Sequence, residues 1–326
     1  MRNRLPTRCI DINSIYCPCI LAETNHCVYC SHLKGEQVCN CDWAGVCILN
    51  EKGWQATSAK HKWNWGETRT RQDLEVPITA LELIAENTYA MRVLVPKELA
   101  RSLDCPGSFV FFRRTEDPDF FKFPVGIMSV NSETIEVVIE TIGPKSSRIL
   151  ENGTNQLIIR GPYYNGIFGQ PWVEKMANGN VLVLTGGMGQ PPAVPIVKKL
   201  IENGNQITAI IAPGKIGKIF AADTFKDLGI KVIPVTSMRR EGMAKFIEFI
   251  TDEEICPDLV VSAGPDDQHH GIINMMQAEN KNIPMAATNN ATMCCGEGVC
   301  GSCDKEARGG KKVRTCKVQT DFISFI

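Results

Sequence analysis

The chain has 326 residues, enough for two or three domains, and its 44% hydrophobic and 22% charged residues are ordinary for a soluble globular protein. A formal net charge of −1 argues against binding to nucleic acid or to an anionic membrane, and no apolar run approaches the length of a transmembrane helix. The first ten residues lack the apolar core of a secretory signal. Fifteen cysteines in such a chain point to metal or cluster ligation rather than disulfides, so we expect a cytoplasmic protein, most simply of an anaerobe.

The first 50 residues are dense in cysteine and poor in apolar side chains. Such a segment cannot fold by burial alone, so we expect an inorganic core to offset its chain entropy. One or two [4Fe–4S] clusters, one or two zinc ions, and disulfides or free thiols are the alternatives, and the spacing does not decide which cysteines share a centre. His26, His32 and His61 could replace a cysteine or be ordinary surface residues. The predicted ligands here are Cys9, Cys17, Cys19, Cys27, Cys30, Cys39, Cys41 and Cys47.

Residues 51–71 are polar, contain three tryptophans, and are interpreted as a connector that packs under the cysteine segment. Residues 74–166 then contain short runs rich in Val, Ile and Phe, separated by turn residues such as Pro106-Gly107. Short strands at this spacing predict an antiparallel barrel, with one helical turn at 97–103. The predicted strands are 81–85, 90–95, 108–113, 127–130, 135–142 and 156–160.

Residues 179–287 change to alternating strands and helices, which predicts a parallel sheet covered on both faces. Dinucleotides bind such sheets beyond the carboxyl ends of the strands. The strands are predicted at 181–185, 206–212, 231–235, 259–263 and 283–287, and the helices at 194–202, 221–228, 243–251 and 271–280.

Two glycine turns follow strands of this predicted sheet. Gly186, Gly187 and Gly189 do not form the G-x-G-x-x-G fingerprint, but glycines let a backbone approach a pyrophosphate, and a helix N-terminus offers free N–H groups. The second turn, Gly264-Pro265-Asp266, follows a later strand and can face the same crevice. His269 and His270, just beyond it, are interpreted as a solvated first turn of a helix rather than as catalytic residues.

The last tenth of the chain carries the C-x4-C-x2-C spacing of plant-type ferredoxins, followed after twelve residues by a fourth cysteine. The predicted ligands of a [2Fe–2S] cluster are Cys295, Cys300, Cys303 and Cys316; Cys294 does not give the four-residue spacing. Glycines at 296, 298, 301, 309 and 310 suit a loop that needs positive φ and close approach of N–H groups to sulfur. A zinc site and disulfides remain the alternatives.

A barrel, an α/β nucleotide domain and a C-terminal ferredoxin-type loop, in this order, resemble the ferredoxin-NADP reductase superfamily. The closest resemblance, over about residues 74–326, is to the dihydroorotate dehydrogenase electron-transfer subunit and to the alpha subunit of NADH-dependent ferredoxin:NADP oxidoreductase. The matching segments are 105–110 (CPGSFV), 122–127 (KFPVGI), 143–150 (GPKSSRIL), 160–162 (RGP) and the two glycine turns.

The resemblance implies FAD and NAD(H) or NADP(H). It places the flavin against Lys122, Pro124, Val125, Gly126 and Ile127. It places the flavin pyrophosphate near Ile142, Gly143, Ser146 and Ser147, and the nicotinamide nucleotide across the two glycine turns.

This sequence also departs from the family. Phe123 stands where an Arg usually meets the flavin phosphate, so Lys122 would have to supply that charge. Gly126 replaces the Ser that bonds the flavin, Val125 replaces a stacking aromatic, and Ala263 stands where many reductases have a Cys. Lys215 and Lys218 would favour NADP by charge, whereas the resembling subunits are associated with NAD, which we expect here.

We therefore expect an α+β multidomain protein with four parts. These are an N-terminal Cys-rich iron–sulfur module with its connector (1–72), an antiparallel β-barrel FAD-binding domain (73–170), an α/β Rossmann-like NAD(P)-binding domain (171–288) and a small [2Fe–2S] domain (289–326). The expected function is that of an electron-transfer subunit that works with other oxidoreductase subunits or a ferredoxin. Alternatives are a free-standing NAD(P)H:ferredoxin reductase and a zinc-bearing redox-sensing interaction protein. Hydride transfer requires no general acid or base, and none stands out.

Overall fold

The structure is a computed structural model that describes residues 5, 8–11, 16, 71–307 and 311–325. The predictions for seven of the N-terminal cysteines, for the connector at 51–70 and for glycines 309 and 310 lie outside these residues. The first described strand is β1 (Arg8–Cys9). No helix in the described ranges is long and apolar enough to cross a lipid bilayer.

Six antiparallel strands close into a barrel in the order β2-β3-β6-β5-β4-β7. Alternate residues of each strand point inward, so that Met91, Val93, Val137 and Ile159 lie fully buried in one core. The predicted barrel is confirmed. Its elements are β2 (Asp73–Ala85), β3 (Thr88–Leu94), α1 (Lys97–Leu103), β4 (Phe109–Arg114), β5 (Phe123–Asn131), β6 (Thr134–Glu140) and β7 (Gln156–Tyr163).

The α/β part contains a six-stranded sheet in the order β11-β10-β9-β12-β13-β8, in which only β8 runs antiparallel. Apolar clusters cover both faces of the sheet, as the strand–helix alternation predicted. Its elements are β8 (Ile167–Phe168), α2 (Gln170–Lys175), β9 (Asn180–Gly186), α3 (Gln190–Glu202), β10 (Gln206–Ala212), α4 (Ala222–Asp227), β11 (Lys231–Pro234), α5 (Met243–Thr251), β12 (Leu259–Ala263), α6 (Asp266–Ala278) and β13 (Met285–Thr288).

Two helices begin earlier than the apolar pattern predicted. Helix α3 starts at Gln190 because Pro191 and Pro192 fall in its first turn, where no backbone N–H is required. Helix α6 starts at Asp266 rather than near Gly271, and the two acidic residues of its first turn suit the positive end of the helix dipole. Both helices therefore begin directly at the glycine turns.

The C-terminal part adds a small hairpin and joins the N-terminal segment. Strands β14 (Asp304–Ala307) and β15 (Lys311–Arg314) pair antiparallel. Strand β16 (Val318–Gln319) pairs with β1, and the Leu5 N–H donates to the Asp321 carboxylate over 2.7 Å. The described residues nearest the two chain ends thus lie side by side.

Candidate redox site

A cavity of about 330 Å³ lies between the barrel and the α/β part. It is called the flavin cavity, after the ligand predicted for its residues. Pro124, Val125 and Gly126 of β5 line it, together with Ser146. A Cβ placed on Gly126 would meet nothing nearer than the Pro192 Cβ at 4.0 Å, so this edge of the strand leaves open room for a ligand. The volume is at the lower end of the range for small-molecule pockets. Among the described residues that line it, Glu140 is the only charged one, which suits the uncharged ring of a flavin.

The other residues predicted to meet the flavin do not line this cavity. The Lys122 ammonium pairs with the Asp119 carboxylate at 2.8 Å, Ile127 belongs to the barrel core, and Ile142 is 67% exposed. The Ser147 N–H donates to the Gly143 carbonyl over 2.9 Å. The cofactor role of these five residues stays a prediction, as does that of the four that line the cavity.

A second cavity, of about 1080 Å³, lies at the carboxyl ends of β9 and β12. It is called the nucleotide cavity, after the ligand predicted for its residues. All six residues predicted for the nucleotide line it, because these neighbouring parallel strands deliver both glycine turns to one edge of the sheet. Lys215 and Arg239 also reach its wall, whereas the Lys218 ammonium donates to the Ile84 carbonyl over 2.8 Å. The predicted residues are Gly186, Gly187, Gly189, Gly264, Pro265 and Asp266.

The two cavities share part of their walls, so that ligands in them would be neighbours. The shared residues include Thr288, the last residue of β13, and Asn290, two residues beyond it. The last strand was predicted from the sequence, but the polar residues at its end were not predicted as part of a site. Their position at the ligand-binding edge of a parallel sheet was the available signal. The five shared residues are Glu140, Met188, Pro192, Thr288 and Asn290.

His269 is fully buried beneath this shared wall, so the prediction of a solvated turn is wrong for it. Its Nδ1 lies 2.7 Å from the Ser262 hydroxyl, and its Nε2 lies 3.1 Å from the Thr288 carbonyl oxygen. Since a carbonyl can only accept, Nε2 carries the proton and Nδ1 accepts from Ser262. Burial lowers the pKa of His269 to about 4, so the ring is neutral near pH 7. The neighbouring His270 is half-buried and lines the nucleotide cavity.

The predicted cluster loop brings thiols together. Cys303 and Cys316 are buried, Cys295 is half-buried and Cys300 is exposed. Gly296, Gly298 and Gly301 have φ between 70° and 75°, and a Cβ on Gly296 would lie 2.5 Å from the Tyr163 ring. In the described ranges, no group of three or more His, Cys, Asp or Glu side chains is arranged to hold a single metal ion.

The thiols of the loop share protons. A hydrogen bond from the Cys316 thiol lowers the pKa of Cys295 to about 4, and the same partner lowers the pKa of Cys303 to about 6. The pKa of Cys316, which keeps the proton between them, is raised. Iron and zinc bind thiolates, so the lowered pKa values of Cys295 and Cys303 suit these two side chains to ligation.

One small apolar cluster joins this loop to the flavin cavity. Phe109 and Met293 line the cavity and pack in the same buried cluster as Cys303 and Cys316. Tyr163 completes it, stacking on Phe109 with ring centroids 5.2 Å apart. One packed cluster of side chains therefore reaches from the cavity wall to two of the cysteines.

No protein-family model matches the chain. Among curated relatives, the dihydroorotate dehydrogenase B (NAD(+)) electron transfer subunit of Shouchella clausii is 24% identical over 244 residues, which cover 73% of this chain and 90% of the relative. The probable subunit of the same name from Methanopyrus kandleri is 25% identical over 184 residues, 55% of this chain and 67% of the relative.

Solved structures with the same fold include a NADH-dependent reduced ferredoxin-NADP oxidoreductase studied for flavin-based electron bifurcation. It aligns with a TM-score of 0.61 and 20% identity over 77% of this chain and 91% of its own. Phthalate dioxygenase reductase, described as a modular structure for electron transfer from pyridine nucleotides to [2Fe–2S], aligns with a TM-score of 0.50 and 10% identity over 76% and 95%. The resemblance inferred from the sequence is confirmed.

Proposed function

We propose that this homologue of dihydroorotate dehydrogenase B electron-transfer subunits moves electrons between NAD(H), FAD and iron–sulfur centres, to or from a partner oxidoreductase subunit or a ferredoxin. The observation that carries the proposal is the order of the three sites. The nucleotide cavity shares a wall with the flavin cavity, and the flavin cavity shares a packed cluster with Cys303 and Cys316. A flavin accepts two electrons as hydride and passes them on singly, which is the chemistry required between a nicotinamide and a cluster.

The residues of this chain would have three tasks. Gly186–Gly189 and Gly264–Asp266 would hold the dinucleotide by backbone N–H groups and a helix N-terminus. Thr288 and Asn290, in the shared wall, would orient the nicotinamide toward the flavin. The Phe109–Met293–Tyr163 cluster would exclude water between the flavin and the cysteine loop. No proton transfer by a side chain is needed, so no catalytic acid or base is assigned.

The four-part division at 72, 170 and 288 belongs to this proposal, as does a [4Fe–4S]-bearing N-terminal module that extends the electron path. Tyr16 and Arg71, the described residues on either side of 17–70, are in contact, because the Arg71 guanidinium lies 4.0 Å from the centre of the Tyr16 ring. Arg71 also pairs with Glu297 of the C-terminal cysteine loop, so Tyr16 and Arg71 both lie near that loop.

The cluster assignment is tested by replacing one ligand. Cys303→Ser should abolish the [2Fe–2S] electron paramagnetic resonance signal of the reduced protein, because Cys303 is a buried member of the thiol set and is hydrogen-bonded to Cys316. Cys256→Ser, in the connection between α5 and β12, is the matched control and should keep it. An unchanged signal in Cys303→Ser refutes the assignment, and zinc without iron in the intact protein favours the redox-sensing alternative.

The flavin and the dinucleotide are tested separately. Acid-released flavin should be FAD; finding FMN, or no flavin after anaerobic purification, ends that part of the proposal.

We expect NADH to reduce the protein better than NADPH, as the names of the curated relatives suggest. Lys215 and Arg239 in the wall offer charge to a 2′-phosphate. A strong NADPH preference that Lys215→Ala removes would reverse the expectation.

A further inference from the structure

Four charged side chains meet at the cysteine loop, three of them buried and the fourth, Glu297, part of the loop itself. Arg71, Lys317 and Asp11 are each no more than 3% exposed, and Glu297 is 23% exposed. Asp11 lies 2.7 Å from Arg71 and 2.5 Å from Lys317, whereas Glu297 lies 3.1 Å from Arg71 and 2.9 Å from Lys317. The two cations therefore each contact both carboxylates, and the charges of the set cancel.

This set, the Asp11 network, touches the cysteine loop at two points. The Glu297 N–H donates to the Cys295 sulfur over 3.3 Å, and Lys317 follows Cys316 directly in the chain. Glu297 is held in place by its two cations and by the Tyr163 hydroxyl, which donates to its carboxylate over 3.1 Å. The position of an N–H···S bond thus depends on the ion pairs behind it.

Asp11 reaches this site from the other end of the sequence. Strand β1 pairs with β16, and the Ile10 N–H donates to the Lys317 carbonyl over 2.7 Å. Burial alone would raise the pKa of Asp11, but its attraction to Lys317 and Arg71 outweighs burial and lowers it. Without Asp11, two buried cations would face one carboxylate, and an unbalanced buried charge is strongly destabilising.

We propose that Asp11 is a positioning residue for the iron–sulfur loop. Through Arg71 and Lys317 it fixes Glu297, whose N–H bonds the Cys295 sulfur, and it balances the positive charge beside the cluster. The N-terminal residues 8–11 are then part of the cluster site rather than of a separable module. Net charge and hydrogen bonds to sulfur set the reduction potentials of such clusters, so Asp11 would act on the potential without contacting the cluster.

The part of this inference that concerns potential rests on the proposed [2Fe–2S] site, so the test has one readout that needs the cluster and one that does not. In the complete protein, Asp11→Asn should shift the potential of the reduced [2Fe–2S] signal to a more positive value, because a nearby negative charge is lost. It should also speed hydrogen exchange in a peptide covering 294–300 by about tenfold or more, because the loop loses its support.

Three variants make the result decisive. Asp11→Glu keeps the charge and should restore both readouts in large part. The double variant Asp11→Asn/Lys317→Gln removes one charge of each sign and should return the potential toward that of the wild type. Asp223→Asn removes an equivalent carboxylate from an exposed pair with Lys226 and should change neither readout.

Unchanged exchange and potential in Asp11→Asn overturn the inference, and so does a potential that the double variant leaves displaced. If Asp11→Asn fails to fold, Asp11→Glu and the double variant still decide the matter through the same two readouts. A wild-type protein without a [2Fe–2S] signal defeats the proposed function instead, while the exchange experiment continues to test the role of Asp11.

Discussion

His269 and His270 are neighbours in sequence but have opposite surroundings. His269 is enclosed by Ser262, Thr288 and the edge of the Phe322 ring, whereas His270 faces the nucleotide cavity. Polar residues in the first turn of a helix are usually solvated, which is why the sequence favoured the wrong environment. The packing of α6 on the sheet decides which face of the helix is buried. That tertiary contact cannot be predicted from the local sequence pattern.

The buried ring predicts a pH dependence of stability. The pKa of His269 is about 6.5 in the unfolded chain and about 4 in the fold, so below pH 6.5 the unfolded state binds the extra proton and gains stability. Above about pH 7 the ring is neutral in both states, so it adds almost no pH dependence to the free energy of unfolding. The effect becomes a loss of about 1.4 kcal/mol in the free energy of unfolding when the pH falls from about 7.5 to about 5.5.

This loss can be measured by denaturant unfolding at the two pH values. His269→Gln should be less stable than the wild type at pH 7.5 but should lose less stability on acidification. His270→Gln is the matched control and should follow the wild-type pH dependence. Equal pH dependence of the wild type and His269→Gln would show that His269 is not the titrating group.

The turn between β9 and α3 packs closely against the end of β12. Gly189 approaches the end of β12 so closely that an added Cβ would lie 2.0 Å from the Ala263 carbonyl oxygen. Its φ of −76° is ordinary, so glycine is required here by close approach rather than by backbone conformation. The two glycine turns of the nucleotide cavity therefore pack directly on each other.

Gly189→Ala should consequently displace one turn from the other and weaken NADH binding. Forcing an extra methyl into a packed contact typically costs about 1–3 kcal/mol, and about 1.4 kcal/mol is tenfold in affinity, so a loss of about tenfold or more is expected. Calorimetric titration measures it, with flavin content as the check on folding. Gly271→Ala adds a methyl to the wall of the same cavity with no protein atom within 4 Å, and it should keep most of its affinity. Equal losses in both variants would assign the effect to cavity size instead.

The elements that the sequence predicted are those with a local cause. Strands β10 and β12 and helix α5 have the predicted bounds, because their apolar runs are bordered by turn residues. Strands β1, β8 and β16, each two residues long, were not predicted. They exist only through partners far away in sequence, and the Asp11 network was missed for the same reason. The spacing of cysteines and glycines in the sequence predicted the cysteine loop and the glycine turns. It did not predict the buried cluster between the flavin cavity and the thiols.

For the whole molecule, the decisive feature is that residues from both ends of the sequence meet beside the cysteine loop. Leu5, β1 and Asp11 are bonded to residues 317–321, and Tyr16 packs on Arg71. A truncation that removes residues 1–50 would therefore remove not only the cysteine-rich segment but also the strand and the carboxylate that support the loop. Such a truncation cannot separate the electron path from the stability of the loop, although an internal excision can.

Excision of residues 17–70, with a short Gly/Ser linker between Tyr16 and Arg71, is feasible because these residues are already in contact. The excised protein should keep its FAD, its [2Fe–2S] signal and NADH-dependent reduction of ferricyanide, since all the residues proposed for these steps are retained. It should lose transfer to a ferredoxin if the excised cysteines extend the electron path. The 1–50 truncation should additionally release iron from the C-terminal loop faster, because Lys317 and Arg71 then share only Glu297. An excised protein that reduces ferredoxin at the full rate would show that electrons leave from the C-terminal loop, where Cys300 is exposed.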